Sequence, residues 1–130
     1  MSAINVFCLL AIAFTLAVVL EAMPQKDLSA KYENLDVDAI LKNKRTLNSY
    51  IKCVLDQGPC TPEGRDLKEN INKNLATKCA ECTVRQKQIV RKATRFVMKN
   101  NPEDWQKIVK HYDPDNKYIA GFTEFVNRDD

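Results

Sequence analysis

Glycine and proline occupy only three and five of the 130 positions, which excludes collagen-like, loop-dominated and low-complexity chains. Charge of one sign is scarce as well. Twenty Lys and Arg against 17 Asp and Glu leave a formal charge of +3, with the two signs well mixed. That falls short of the clustered cationic excess that neutralises phosphates, so nucleic acid is not an expected partner. His111 is the only histidine, which rules out a multi-histidine zinc site and argues against a Ser-His-Asp arrangement. No stretch shows sustained alternation of β-branched residues, so no strand is predicted. What remains is 45% apolar and 28% charged, a globular composition of a size that suits one core.

Between Ala3 and Leu20 the side chains are apolar apart from Asn5 and Thr15, and the first acidic residue is Glu21. Small Ala22, then Met23-Pro24 and a polar continuation, fit a cleaved export signal better than a stop-transfer flank. The expected division is a signal peptide over 1–22 and a mature domain over 23–130. Cleavage removes Cys8 and leaves Cys53, Cys60, Cys79 and Cys82, an even number in a chain bound for an oxidising compartment. Two disulfides are predicted, and the sequence alone permits three pairings. Cys79-Ala80-Glu81-Cys82 is a CxxC that in a βαβ context would signal thiol exchange. Export, the missing strand pattern and the second cysteine pair favour a structural role.

Nearly every stretch after Asn34 repeats apolar residues at spacings of three and four, which predicts an all-α bundle of about six short helices. Asp36 caps a first helix carrying Val37, Ile40 and Leu41. A second bears Leu47, Tyr50, Ile51, Val54 and Leu55 and is expected to end at Gly58-Pro59, with the glycine supplying a left-handed terminus. Thr61-Pro62-Glu63 opens a third with a narrow stripe of Leu67, Ile71 and Leu75. The fourth, from about Thr83 to Met98, turns Ile89, Val90, Ala93, Phe96 and Val97 inward and Arg85, Lys87, Arg91, Lys92 and Arg95 outward. Asn101-Pro102-Glu103-Asp104 caps a fifth with Trp105, Ile108, Val109 and Tyr112, which Asp113-Pro114 stops. A last segment with Tyr118, Ile119, Phe122, Phe125 and Val126 has helical spacing, although Gly121 argues against continuity.

The spacing Cys53-x6-Cys60-x18-Cys79-x2-Cys82 lies between Lys31-Tyr32-Glu33-Asn34-Leu35-Asp36-Val37-Asp38 and Pro102-Glu103-Asp104-Trp105…Tyr112-Asp113-Pro114. Together these resemble the insect chemosensory proteins, the OS-D or A10 family, over roughly Lys31 to Tyr118. The resemblance implies six helices around an apolar channel, disulfides Cys53–Cys60 and Cys79–Cys82, secretion, and carriage of fatty acids, pheromone components and similar long-chain molecules without catalysis. On the same basis Tyr50 and Trp105 are implied pocket-lining aromatics, and Tyr32 an aromatic near the channel's first helix. Many members carry Leu-Pro-Asp-Ala-Leu ahead of the third cysteine; here the run is Ile71-Asn72-Lys73-Asn74-Leu75, which leaves that wall's shape open, as it leaves the placement of the tail after Tyr118.

Apolar stripes on short helices fill a core by default. With the resemblance, a pocket of a few hundred Å³ is expected. A dozen methylenes at roughly 0.8 kcal/mol each, less association costs of at least ~4 kcal/mol, give micromolar binding governed by chain length. Besides Trp105, Tyr50 and Tyr32, the candidate ligand contacts chosen by helix face are Ile51, Val54, Leu67, Ile71, Ile89, Ala93, Phe96, Val97 and Ile108. No cofactor or metal is called for. Asp113-Pro114-Asp115-Asn116-Lys117 with Glu124 at the twelfth position imitates a calcium loop, but Lys117 at a ligand position and Tyr118 in place of the turn glycine rule it out. Lys87, Arg91, Arg95 and Lys99 form a basic row, read as a solvated face in preference to a membrane or receptor patch. These features are read as those of a monomeric extracellular carrier. Its rivals are a secreted interaction module with a solid core, which would engage a receptor, and a thiol oxidoreductase using Cys79 and Cys82.

Overall fold

The computed structural model describes residues 34–129, six helices with no strand among them: α1 Val37–Lys42, α2 Lys44–Val54, α3 Pro62–Thr77, α4 Val84–Asn100, α5 Pro102–Tyr112 and α6 Ile119–Asn127. The signal segment and Tyr32 lie outside the described residues. Short polar side chains start most of the helices by taking up amides that have no partner within the helix. Asp36 accepts from the Ala39 amide, Asn43 from Arg45 and Thr46, and Thr61 from Gly64. Thr83 and Gln86 form a reciprocal capping box. Asn101 stands at the start of α5 without capping it; its Nδ2 donates to Asp104 instead.

α6 is capped from a distance. Buried Asp113 accepts the Lys117, Tyr118 and Ile119 amides at 2.9, 3.0 and 2.9 Å. Its carboxylate is thereby committed to backbone, a structural reason for the calcium-like spacing of that loop. α6 runs unbroken through Gly121, where a Cβ would come within 2.8 Å of the Lys78 side chain. That neighbour is the flexible end of a lysine, which can move aside, and the glycine does not break the helix.

Two further expectations need correction. The left-handed residue after α2 is Asp56, with φ 60°, and no glycine has positive φ among the described residues. Asp tolerates that region, and here its carboxylate is held by Lys68 and by His111 Nε2 at 3.0 Å. Arg91 does not face solvent. It is 8% exposed, donates from Nε to the Phe125 carbonyl at 3.0 Å, and lies 4.4 Å over the Phe125 ring. Arg95 donates to the carbonyls of Val126 and Arg128 and pairs with Asp129. Half of the basic row thus serves the carbonyl end of α6, whose last acceptors have no donor within the helix and whose dipole favours cations.

α2 packs on α1 and α3, and α4 packs on α1, α5 and α6, while α3 reaches across to α6. The apolar side chains gather into two cores. One holds Val37, Leu41, Leu47, Ile51, Val54, Leu55 and Val97; the other holds Leu75, Cys79, Phe122, Phe125 and Val126. Ile71, Trp105 and Tyr112 pack against both. The disulfides are Cys53–Cys60, across the α2–α3 connection, and Cys79–Cys82, across the α3–α4 connection. Both are local, so they pin helix junctions and leave the spacing between distant helices to packing alone.

Candidate ligand-binding cavity

α3 is the helix whose sequence provides too little apolar surface to close a core. Of its stripe only Leu75 is buried; Ile71 is half-buried and Leu67 is 39% exposed. Facing it, α4 presents Ile89, Val90, Ala93 and Val97. The space left between them, floored by α1, α2 and α5, is a cavity of about 530 Å³. That size lies within the range of small-molecule sites.

Most candidates chosen from sequence surround this one space. Tyr50, Ile51 and Val54 of α2, Leu67 and Ile71 of α3, Ile89, Ala93 and Val97 of α4, and Trp105 and Ile108 of α5 all line it. Phe96 does not. The α4 wall includes Gln86, Ile89, Val90, Ala93, Thr94 and Val97; Phe96 shares a helix face with Ile89, seven residues earlier, but packs against the first core without reaching the cavity. The departing run at the end of α3 is part of the wall through Ile71, Lys73, Asn74 and Leu75. The tail is placed too: Phe122 of α6 closes one end.

Further residues line the space. Leu35, Val37, Ile40, Leu41, Leu47, Val109 and Val90 are apolar and were legible as stripe members, or nearly so, without any mark separating cavity from core. Asn70 and Asn74 share the inner face of α3 with Leu67 and Ile71. Their spacing is the signal: amides among apolar positions on one face belong to a wall that water reaches. Glu63, Asp66, Glu69, Lys73 and Glu81 complete the rim along α3 and its following turn.

Polar contacts hold the frame. Arg85 donates to the Leu35 carbonyl at 3.2 Å, and Lys92 pairs with Asp38, fixing α1 to α4. Hydrogen bonding from Lys92 lowers the Asp38 carboxyl below its ordinary range. The Tyr112 hydroxyl donates to the Val54 carbonyl, joining α5 to α2. Burial, with Asp56 nearby, raises its pKa. Asp56 is lowered chiefly by its hydrogen bond from Lys68 and secondarily by His111, and Lys68 is raised in return. Asp56 therefore links α3 and α5 through the turn after α2. A smaller hollow of about 300 Å³, lined by Arg45, Thr46, Ser49 and Thr61 among others, shares Tyr50 with the large cavity.

The chemistry available here is apolar contact with a polar edge. Among the described residues no group of three His, Cys, Asp or Glu could hold a metal. Cys79 and Cys82 are bonded to each other, and Cys79 is fully buried, unlike the accessible thiolate that exchange requires. No described helix is long and apolar enough to cross a membrane.

Residues 28–120 match the profile of the insect pheromone-binding family, A10/OS-D. Ejaculatory bulb-specific protein 3 of Drosophila melanogaster is 44% identical over 94 residues, 72% of this chain and 75% of that one. Allergen Tha p 1 of Thaumetopoea pityocampa is 37% identical over 110 residues, 85% of this chain and 87% of that one. Among solved structures, a chemosensory protein in complex with bromo-dodecanol superposes with a TM-score of 0.66 at 34% identity, covering 72% of this chain and 94% of that protein. Antennal chemosensory protein A6 from the moth Mamestra brassicae gives 0.62 at 32% identity, covering 71% and 90%. The chain belongs to the insect pheromone-binding family A10/OS-D.

Proposed function

We infer that the protein is a secreted, monomeric carrier that takes long-chain hydrophobic molecules into its cavity and keeps them dispersed in extracellular fluid, with no chemical turnover. The class of guest is that of fatty acids, pheromone-like molecules and other semiochemicals. The observation that carries this reading is the 530 Å³ of space left among apolar side chains by a helix, α3, too polar to close it. A relative of the same fold was solved in complex with bromo-dodecanol, a long-chain alcohol, which supports it. In this reading residues 1–22 direct export and are removed. Tyr50, Ile51, Val54, Leu67, Ile71, Ile89, Ala93, Val97, Trp105 and Ile108 touch the guest, and Trp105 offers it a large apolar face.

The test uses protein secreted by insect cells, whose intact mass reports whether the leader has been cut. Displacement of an environment-sensitive fluorescent probe by a series of alcohols from eight to eighteen carbons should tighten with each added methylene until the cavity is full, then level off. Trp105 is the only tryptophan, so its emission should shift on the same concentration scale. Displacement that ignores chain length would overturn the carrier and favour an interaction module.

A further inference from the structure

The lining of the cavity is not electrically even. Among the described residues its charged members are Glu63, Asp66, Glu69, Lys73 and Glu81, and of these Lys73 is paired with Glu81. Glu63 and Glu69 are exposed and less than two turns apart on α3, so their charges fall along the opening beside Leu67. A protein with more basic than acidic residues overall thus turns a negative rim toward its apolar space. The apolar volume is what holds a chain, and the rim is the charged part of its lining.

We propose that this rim makes the cavity selective for head-group charge, with Glu63 and Glu69 disfavouring carboxylates, so that the preferred guests are long-chain molecules with a neutral or cationic polar end. The inference rests on the carrier reading and ranks the guests within it: alcohols, esters and amines above fatty-acid anions of equal length. A carboxylate with its chain among Leu67, Ile71 and Ala93 has its charge within about a Debye length of these side chains, ~8 Å at physiological ionic strength. Glu63 and Glu69 are exposed, so water screens each of them. Summed over the rim, the penalty to an anion is about 3- to 10-fold in affinity, and a cation gains by a similar factor.

The experiment compares dodecan-1-amine, dodecan-1-ol and dodecanoate, each below its micelle concentration, as competitors of a neutral fluorescent probe. The readout is the ratio of amine to carboxylate affinity, since both carry a full charge and the same chain. At about 10 mM salt, where the Debye length is ~30 Å, the amine should bind at least 10-fold more tightly than the carboxylate, with the alcohol between. The ratio should shrink several-fold in 0.5 M salt. The double variant Glu63→Gln/Glu69→Gln should tighten dodecanoate about 3-fold and leave dodecanol unchanged. Equal affinities for amine and carboxylate at low salt, or a ratio indifferent to the double variant, would overturn the proposal. So would a carboxylate that binds more tightly than the alcohol and is weakened by Arg45→Gln, which would place the head group in the smaller hollow that Arg45 and Tyr50 line. Failure of all three compounds to displace the probe would instead sink the carrier reading, and this inference with it.

Discussion

Arg91 shows how much a single side chain can do away from the cavity. Its guanidinium is buried, bonded to the Phe125 carbonyl and stacked on the Phe125 ring, so α4 and the end of α6 share it. Hydrogen bonds from a charged group contribute about 1.5–3 kcal/mol each, and the Phe125 carbonyl keeps the Arg128 amide as a second donor. Arg91→Ala should therefore cost about 2–3 kcal/mol, read as a fall in melting temperature of roughly 10–20 °C for a domain of this size. Lys99→Ala, on the exposed end of the same row, should stay within about 0.5 kcal/mol of the parent. A drop of equal size for both would mean that the row acts through general charge. The sequence could not single out Arg91: in a helical wheel it falls with Lys87 and Arg95, and its acceptor is 34 residues further along the chain. Phe96 shows a second limit. It shares a helix face with Ile89, yet only Ile89 lines the cavity: apolar periodicity gives a residue's side of the helix and not which positions along that side meet open space.

At the scale of elements, the helix starts were legible because caps are local: Asp36, Thr61 and Thr83 bond to amides three residues ahead. Ends that depend on distant partners were not. The turn after α2 looked like a glycine terminus, yet it is Asp56 that adopts the left-handed conformation, held by Lys68 from α3 and His111 from α5. That clasp ties the roof of the cavity to its floor, and it titrates. Lys68 first, then His111, lowers the Asp56 pKa in the folded protein. A carboxylate lowered in this way contributes stability above its unfolded pKa, near 4, and the contribution disappears as pH falls through the folded value below it. Asp38 titrates in the same direction. Asp56→Asn should accordingly leave a shallower loss of melting temperature between about pH 5 and pH 2 than the parent shows, with the remaining slope belonging to Asp38 and other carboxylates. Parallel curves for variant and parent would show that the clasp is solvated and silent.

For the whole molecule the deciding property is a core divided in two, with Ile71, Trp105 and Tyr112 as the bridges and the cavity between. Periodicity predicted the helices and their inward faces but not the division, because the same stripes would serve a solid bundle. The expectation of a hollow came from the cysteine spacing and its flanking motifs, through the family they resemble. In physical terms the hollow reflects what α3 lacks: its Asn70 and Asn74 stand where a closed core would have aliphatic groups. An empty apolar space forgoes dispersion contacts, so filling it from within should stabilise the protein and remove its use. Ala93→Leu places added methyl and methylene groups into the cavity from the α4 wall. If they settle without strain, burial at roughly 0.8 kcal/mol per carbon raises the stability of the empty protein by about 2 kcal/mol. The parent, but not the variant, should then gain about 2.7 kcal/mol from a long-chain alcohol at a hundred times its Kd, measured by the shift in unfolding midpoint. A variant destabilised by 1–3 kcal/mol would report an overpacked, already filled interior. A variant that still answers to the ligand as the parent does would show that the guest lies away from Ala93. The expected pair of results, a more stable apoprotein that no longer responds to its guest, would show that the space is kept open at a cost in stability because a molecule is to occupy it.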